Sequence, residues 1–317
     1  MFDVIVVGGG VAGSSAALSL GRTHHSTLVL DDGPGRNAPA REIHNFFGHD
    51  GTSPAGLRRR SAEQLARYPG VRLQAATAAR AENHGADGFA VTLASGRVHR
   101  ARRLLLATGL VDELPAIEGL EPLWGRSVVH CPYCFGYEST GAAIAVLGAG
   151  PERMRLALQL SAFSEDVVLC TNGPAELEQP YGAALEKAGV LIREEEVARL
   201  VADGDQLRGI EFREGPPLAR TTMFVKGSQR QRSPLAAQLG CRILGDGSVA
   251  VDELARTSVA GVLAAGDMAR RPDAAVAISS VVMSAAAGSL AAGVIDVDLL
   301  QEDFGLPDRW AGYRPWE

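Results

Sequence analysis

The chain opens on a continuous apolar run, residues 2 to 7 (FDVIVV), closed by glycines. An unbroken apolar run of this length, bounded by turn residues, predicts a parallel strand buried on both faces. A glycine turn follows at residues 8 to 13 (GGGVAG), then a helical pattern to about Arg22, then a second apolar run, residues 26 to 30 (STLVL), ending at Asp31. The same sequence of events recurs once. Residues 143 to 147 (AIAVL) lead into residues 148 to 153 (GAGPER), a helix to about Phe163 and a further run at residues 167 to 170 (VVLC). Two such openings in one chain predict an α/β protein with two Rossmann-like dinucleotide-binding domains.

Between the two openings, residues 55 to 68 read as an amphipathic helix, and residues 71 to 76, 89 to 94 and 97 to 100 as short strands. Turns are expected at Asp87-Gly88 and Ser95-Gly96. Residues 103 to 109 (RLLLATG) read as another buried strand. Further strands are expected at 190 to 194, 198 to 202, 207 to 213, 221 to 225, 249 to 252 and 262 to 264, with a polar hinge from Gly227 to Pro234. Residues 274 to 295 carry no charge and are long enough to span a bilayer. They are rich in Ala, Ser and Gly, so a buried helix packed closely on protein is expected, and no membrane span.

The first glycine turn has its chemistry in its spacing. Gly8 makes the tight turn, Gly10 lets backbone approach a pyrophosphate, and Gly13 lets the helix close on the strand. Asp31, about twenty residues on, is placed to accept a ribose hydroxyl. The strand–turn–helix–strand context makes this a strong signal where a bare glycine match would be weak.

Composition narrows the classes. The 317 residues suffice for two domains, and 46% hydrophobic with 21% charged content suits a soluble globular chain. A net charge of −6 argues against nucleic-acid binding. The one basic run, Arg58-Arg59-Arg60, reads as a solvated helix face. Four cysteines are too few for a secreted disulfide scaffold, and the N-terminus enters a strand directly with no leader pattern, so a cytoplasmic protein is expected.

Two of those cysteines form the stretch Cys131-Pro132-Tyr133-Cys134. The spacing lets two thiols close a small disulfide ring and reopen it. A helix turn beginning at Cys134 would favour a thiolate there. A zinc half-site is the other use of such a pair, but it needs a second ligand pair, and Cys170 and Cys241 are isolated; no metal is expected.

Together, GGGVAG at Gly8, LLATG at Leu105, CPYC at Cys131, GAGPER at Gly148 and GVLAAGD at Gly261 resemble the low-molecular-weight thioredoxin reductase family of flavoproteins. The order and spacing of these motifs cover nearly the whole chain. The resemblance implies a homodimer holding FAD noncovalently. It implies an FAD domain, residues 1–114 and 241–317, interrupted by an NAD(P)-binding-like domain, residues 115–240, that carries the CxxC. By the same resemblance Gly8, Gly10, Gly13 and Asp31 map to the adenosine and pyrophosphate site. Thr108 and Gly109 map to the turn after the last strand of the first segment, Asn37 and Asn45 to the flavin neighbourhood, and Gly266 and Asp267 to the ribityl chain. Ser280-Val281 stands where the family has Gln-Ala near the flavin pyrimidine. Cys131 and Cys134 match the redox pair.

Within the family the chain looks more like the dithiol oxidases that close disulfides in natural products of the gliotoxin, holomycin and romidepsin type. Arg36-Asn37-Ala38-Pro39 and the CPYC followed by Gly136-Tyr137-Glu138 suggest this. The reductases usually carry Asp after the second cysteine and the oxidases His; this chain has Phe135. Exchange needs a base. His130 is the nearest titratable group and Glu138 the next, while His44 and His49 read as solvent-exposed or pocket-lining. Phe46, Phe47, Phe135 and Tyr137 could form an apolar mouth or belong to the core.

The second glycine motif is degraded, with Arg153 where Gly or Ala would let the helix pack. No Arg or Lys occurs from Asp166 to Glu186 to meet a 2′-phosphate. The expected function is therefore an FAD-dependent dithiol oxidase that passes electrons from a small-molecule dithiol, through Cys131 and Cys134, to oxygen. A disulfide reductase fed by NAD(P)H or ferredoxin is the alternative, and a flavin-containing protein that sequesters a dithiol without turnover is another.

Overall fold

The structure is a computed structural model describing residues 1–177, 179–275 and 279–310. The chain divides into two compact units. One comprises residues 1–36, 55–111 and 229–317, the other residues 37–54 and 112–228. The sequence division at 114/115 and 240/241 differs from this in two ways. The crossings fall at 111/112 and 228/229, and the loop 37–54 groups with the inserted unit.

The first unit begins β1 (Phe2–Val7), α1 (Val11–Arg22), β2 (Thr27–Asp31), α2 (Pro54–Leu65), β3 (Val71–Ala75), β4 (Ala78–Asn83), β5 (Phe89–Leu93) and β6 (Val98–Leu106). The expected strands at 97–100 and 103–109 are one nine-residue strand, because β6 changes partners midway. Its first half pairs antiparallel with β5 and its second half parallel with β1. β4, the segment AARAEN, has too little apolar alternation to be read as a strand and is recruited by pairing with β5.

β7 (Leu110–Glu113) leads out of the first unit. The inserted unit holds β8 (Val128–Val129), α3 (Pro132–Phe135), β9 (Ile144–Leu147), α4 (Pro151–Leu160), β10 (Val167–Cys170), α5 (Tyr181–Lys187) and β11 (Leu191–Arg193). A meander of β12 (Val197–Asp203), β13 (Gln206–Phe212) and β14 (Leu218–Ala219) follows, then β15 (Thr222–Phe224). Its main sheet, in order β11-β10-β9-β15-β8, is all parallel. The expected polar hinge contains β16 (Ser228–Gln231), which pairs with β7.

The chain then completes the first unit with α6 (Leu235–Gln238), β17 (Val249–Ala250), β18 (Val262–Ala264), β19 (Ala269–Arg270) and α7 (Val281–Phe304). β18 pairs parallel with β6. The first sheet sorts its side chains by strand periodicity. Ile5, Val7, Leu28, Leu30, Leu104 and Leu106 face one core, while Val4, Val6, Val29, Leu105 and Leu263 face α1 and α7 on the other.

α7 has the length and composition of a membrane span. Its Gly288 lies so close to α1 that a Cβ there would fall 2.0 Å from the carbonyl oxygen of Ala12, and Ala291, Ala292, Val294, Ile295 and Leu299 are buried. The helix expected over 274–295 starts later, at Val281, because Ser280 caps it; residues 276–278 of that range lie outside the described residues. Only one face is buried. Val282, Met283, Leu290, Leu300 and Phe304 are exposed.

Candidate functional site

In the first unit three turns converge at the strand ends. Gly8 adopts φ +107°, and a Cβ there would strike the carbonyl oxygen of Ala107 at 2.2 Å, with Thr108 Cα at 3.2 Å. A Cβ on Gly13 would fall 1.9 Å from the carbonyl oxygen of Gly8, so only glycine lets α1 close on the turn. Gly10 differs: nothing lies within 4 Å of where its Cβ would be, and it stands at the N-terminus of α1. Two glycines forced by close approach and one facing open space are what a pyrophosphate cradle requires. These residues fit a dinucleotide.

The other residues of this cluster have partners within the chain. Asp31 Oδ1 accepts the backbone N–H of Gly9 at 3.0 Å, and Oδ2 accepts Arg58 Nη2 at 2.5 Å. Arg58 is thus not part of a uniformly solvated face; it alone of the three arginines reaches back to Asp31, whereas Arg59 pairs with exposed Glu63. Thr108 donates its N–H and hydroxyl to Met268 Sδ at 3.2 and 3.3 Å. Gly109 and Gly266 both take positive φ, and a Cβ on Gly266 would meet Ala12 at 3.0 Å. Asp267 is held by Ser284 Oγ at 3.2 Å and Arg36 Nη1 at 3.1 Å. The Arg36 contact was not legible in sequence, because the two residues lie 231 positions apart. Ser280 accepts the N–H of Met283 as N-cap of α7.

In the inserted unit Cys131 and Cys134 are joined as a disulfide, with their Cα atoms 5.2 Å apart. The helix turn does not begin at Cys134. Cys131 is the N-cap, Pro132 the first helical residue, and the N–H groups of Cys134 and Phe135 both point at the Cys131 carbonyl. His130 stacks on Trp124 with ring centroids 5.5 Å apart. Phe135 packs into the core around α4, and a Cβ on Gly136 would crowd Phe163 at 3.0 Å. Phe47 and Tyr137 are exposed, while His49 lies against Phe46.

The loop 37–54 docks on this turn. Asn37 sits in the turn that opens the loop, its carbonyl accepting the N–H of Ala40. Asn45, with φ +60°, donates its side-chain N–H to the carbonyl oxygen of Tyr133, between the two cysteines. His44 is neither exposed nor idle. It lies among Glu42, Asp50 and Glu138, which brings Glu138 into contact with the loop. Among the described residues no group of three His, Cys, Asp or Glu side chains has an arrangement able to hold a metal ion.

The second glycine turn does not fit a dinucleotide as the first does. Gly148 keeps its φ of +110° and Gly150 faces open space, but the stem of Arg153 lies over the turn, its Cγ 3.3 Å from where a Gly148 Cβ would be. Burial pushes the Arg153 guanidinium below its ordinary range, opposed by Glu152. At the end of β10 stands Cys170, wholly buried. Beyond it Ala175 N–H is taken by Glu194, and the nearby Arg193 is engaged by Glu195. A 2′-phosphate would meet carboxylates here and no free guanidinium among the groups named.

Residues 2–286 match the model of the pyridine nucleotide-disulphide oxidoreductase family. The thioredoxin reductase tcpT of Claviceps purpurea is 34% identical over 275 residues, spanning 84% of this chain and 86% of that protein. The thioredoxin reductase sirT of Leptosphaeria maculans is 31% identical over 288 residues, spanning 85% and 87%. Among solved structures, HlmI superposes with a TM-score of 0.88 at 38% identity, covering 96% of this chain and 94% of that one. The putative thioredoxin reductase TrxB from Bacillus anthracis gives the same TM-score at 27% identity, covering 96% and 100%.

Proposed function

We propose that this chain, which belongs to the pyridine nucleotide-disulphide oxidoreductase family and is a thioredoxin reductase-like FAD enzyme with a CxxC pair, works as a dithiol oxidase. A small-molecule dithiol would deliver its electrons to the Cys131–Cys134 disulfide and leave with an intramolecular disulfide, oxygen being the final acceptor. The observation that carries this direction is Arg153 lying over the second glycine turn, in a half whose following loop presents carboxylates. A crowded second turn disfavours NAD(P)H as the electron source and favours entry of electrons through thiols.

FAD, when bound, supplies a two-electron store between thiols and oxygen. The chain's own residues divide the remaining work. Gly8, Gly10 and Gly13 with the N–H groups opening α1 would hold the pyrophosphate, and Asp31 a ribose hydroxyl. Thr108, Gly109, Gly266, Asp267 and Ser280 would line the path of the rest of the cofactor. The disulfide would act as the acceptor: an incoming thiolate attacks one sulfur and the other leaves. Glu138 and His130 are the groups to move protons. His130 is held by Trp124, so its ring plane is fixed.

A homodimer is part of the same reading. Met283, Ala286, Leu290, Gly293, Val297, Leu300 and Phe304 follow one another at alternating spacings of three and four along α7. This is the spacing of a seam that a second helix covers, and Met283, Leu290, Leu300 and Phe304 are exposed.

A second reading, NAD(P)H-driven disulfide reduction, is favoured by the retained φ of Gly148 and the open space at Gly150. Anaerobic stopped-flow absorbance separates the two. Bleaching of the flavin band by a small dithiol alone, with recovery and peroxide on admitting air, is expected. Fast bleaching by NADPH or NADH would overturn the oxidase and establish the reductase.

A further inference from the structure

Phe135 leaves the redox pair without a titratable group directly after its second cysteine, and His130, just before its first, stacks on Trp124. A separate set of titratable groups lies in the docked loop. His44 Nδ1 is 3.5 Å from Asp50 Oδ1, and its Nε2 is 3.5 Å from Glu138 Oε1 and 3.7 Å from Glu42 Oε2. The ring is 16% exposed, whereas all three carboxylates reach solvent. A neutral imidazole has one N–H and serves one side; the doubly protonated ring serves Asp50 and Glu138 together.

Two further contacts fix this set to the cysteines. The Asp50 oxygen that faces His44 also accepts the backbone N–H of Asn45 at 2.9 Å, and Asn45 in turn donates to Tyr133 within the CxxC. On the other side, α3 runs on through a helical turn at Tyr137–Ser139. Glu138 therefore lies about one turn beyond Cys134 along the same helical run.

We propose that Glu138 exchanges protons with the thiols of the redox pair and that His44 is the positioning residue that holds the Glu138 carboxyl. The proposal rests on the thiol-exchange reading of the site. In the first step a substrate thiol gives its proton to Glu138. Its sulfur attacks Cys131 Sγ, the Cys131–Cys134 bond breaks, a mixed disulfide forms, and Cys134 leaves and takes the proton from Glu138. In the second step the other substrate thiol attacks its partner sulfur in the mixed disulfide. The product disulfide forms, Cys131 leaves, and it takes that thiol's proton. Two electrons pass from the substrate sulfurs to the cysteine pair, which ends as two thiols.

The test reads the cysteines themselves. Oxidised, FAD-loaded enzyme is mixed anaerobically with dithiothreitol and quenched with an alkylating agent. Labelled Cys131 and Cys134 are then counted by mass spectrometry across the pH range of histidine and thiol titration. E138Q is expected to slow exchange about 100-fold at neutral pH and H44Q about 10-fold. Both are expected to converge on the unaltered enzyme at alkaline pH, where the attacking thiol ionises unaided. Variants that keep the original profile would overturn the proposal, as would a loss by the same factor at every pH, which marks a structural role. If H44Q fails to retain flavin, E138Q, on a half-exposed side chain, decides alone. The labelling precedes any step with oxygen or nicotinamide, so an error in the oxidase direction would leave this result unchanged.

Discussion

The side chain of Asn45 donates a hydrogen bond to the main-chain carbonyl of Tyr133, tying a loop far away in sequence to the centre of the redox pair. Asn45 also stands at φ +60°, a conformation that costs Ala more than Asn. The two contributions can be separated. N45G keeps the backbone free and removes only the bond, at a cost of about 1 kcal/mol. N45A removes the bond and adds about 1 kcal/mol or more of backbone strain. Hydrogen exchange of residues 37–54 is expected to rise in both, more in N45A; equal protection in all three proteins would show that the loop is held elsewhere.

The first glycine turn predicts opposite behaviours for two neighbouring substitutions. G13A places a methyl 1.9 Å from the Gly8 carbonyl oxygen, and is expected to lower stability by about 2 kcal/mol or more along with flavin content. G10A meets only open space at a φ of −66°. It is expected to keep its apoprotein melting temperature and lose flavin. Thermal melts of the apoprotein beside absorbance of the purified protein distinguish the two; a fully flavinated G10A would remove the pyrophosphate from that place.

The seam on α7 predicts assembly. L290E puts a charge on a side chain that is 46% exposed, so the fold should tolerate it. Analytical ultracentrifugation is expected to show a dimer for the unaltered chain and a monomer for L290E. A dimer that survives L290E would place the interface on another face.

Cys170 predicts a pH dependence. Burial pushes its thiol from 9.0 up to about 11. Between those values the folded chain keeps a proton that the unfolded chain has lost. Stability from this group is therefore complete below 9.0 and falls as pH rises towards about 11. C170A is expected to remove that alkaline slope while costing about 1–2 kcal/mol at every pH for the cavity. Denaturant titrations at a series of pH values measure both, and an unchanged slope would assign it to another group.

What the sequence disclosed and what it hid follow from range. The run FDVIVV, the spacing of Gly8, Gly10 and Gly13 and the cysteine pair are local patterns, so their elements and turns could be read directly. β6 reads as two strands because Arg100 and Arg102 break its apolar pattern, and its continuity depends on a change of partner. The docking of residues 37–54 was not legible at all. It rests on Asn45 reaching Tyr133, on Arg41 reaching Asp205 and on Pro39 packing against Gly125, none of which leaves a local trace. The pairing of His44 with Glu138 depends on that docking and was hidden with it.

The grouping of that loop has a practical consequence for dissecting the protein. A fragment cut at residues 112 and 228 looks like a complete inserted domain in a linear map, yet it would lack Asn45 and His44. The chain passes between its two units four times, at 36/37, 54/55, 111/112 and 228/229. Separating the halves genetically takes four junctions rather than two. A chimaera that exchanges only the central segment with a relative would pair one protein's redox turn with another protein's loop.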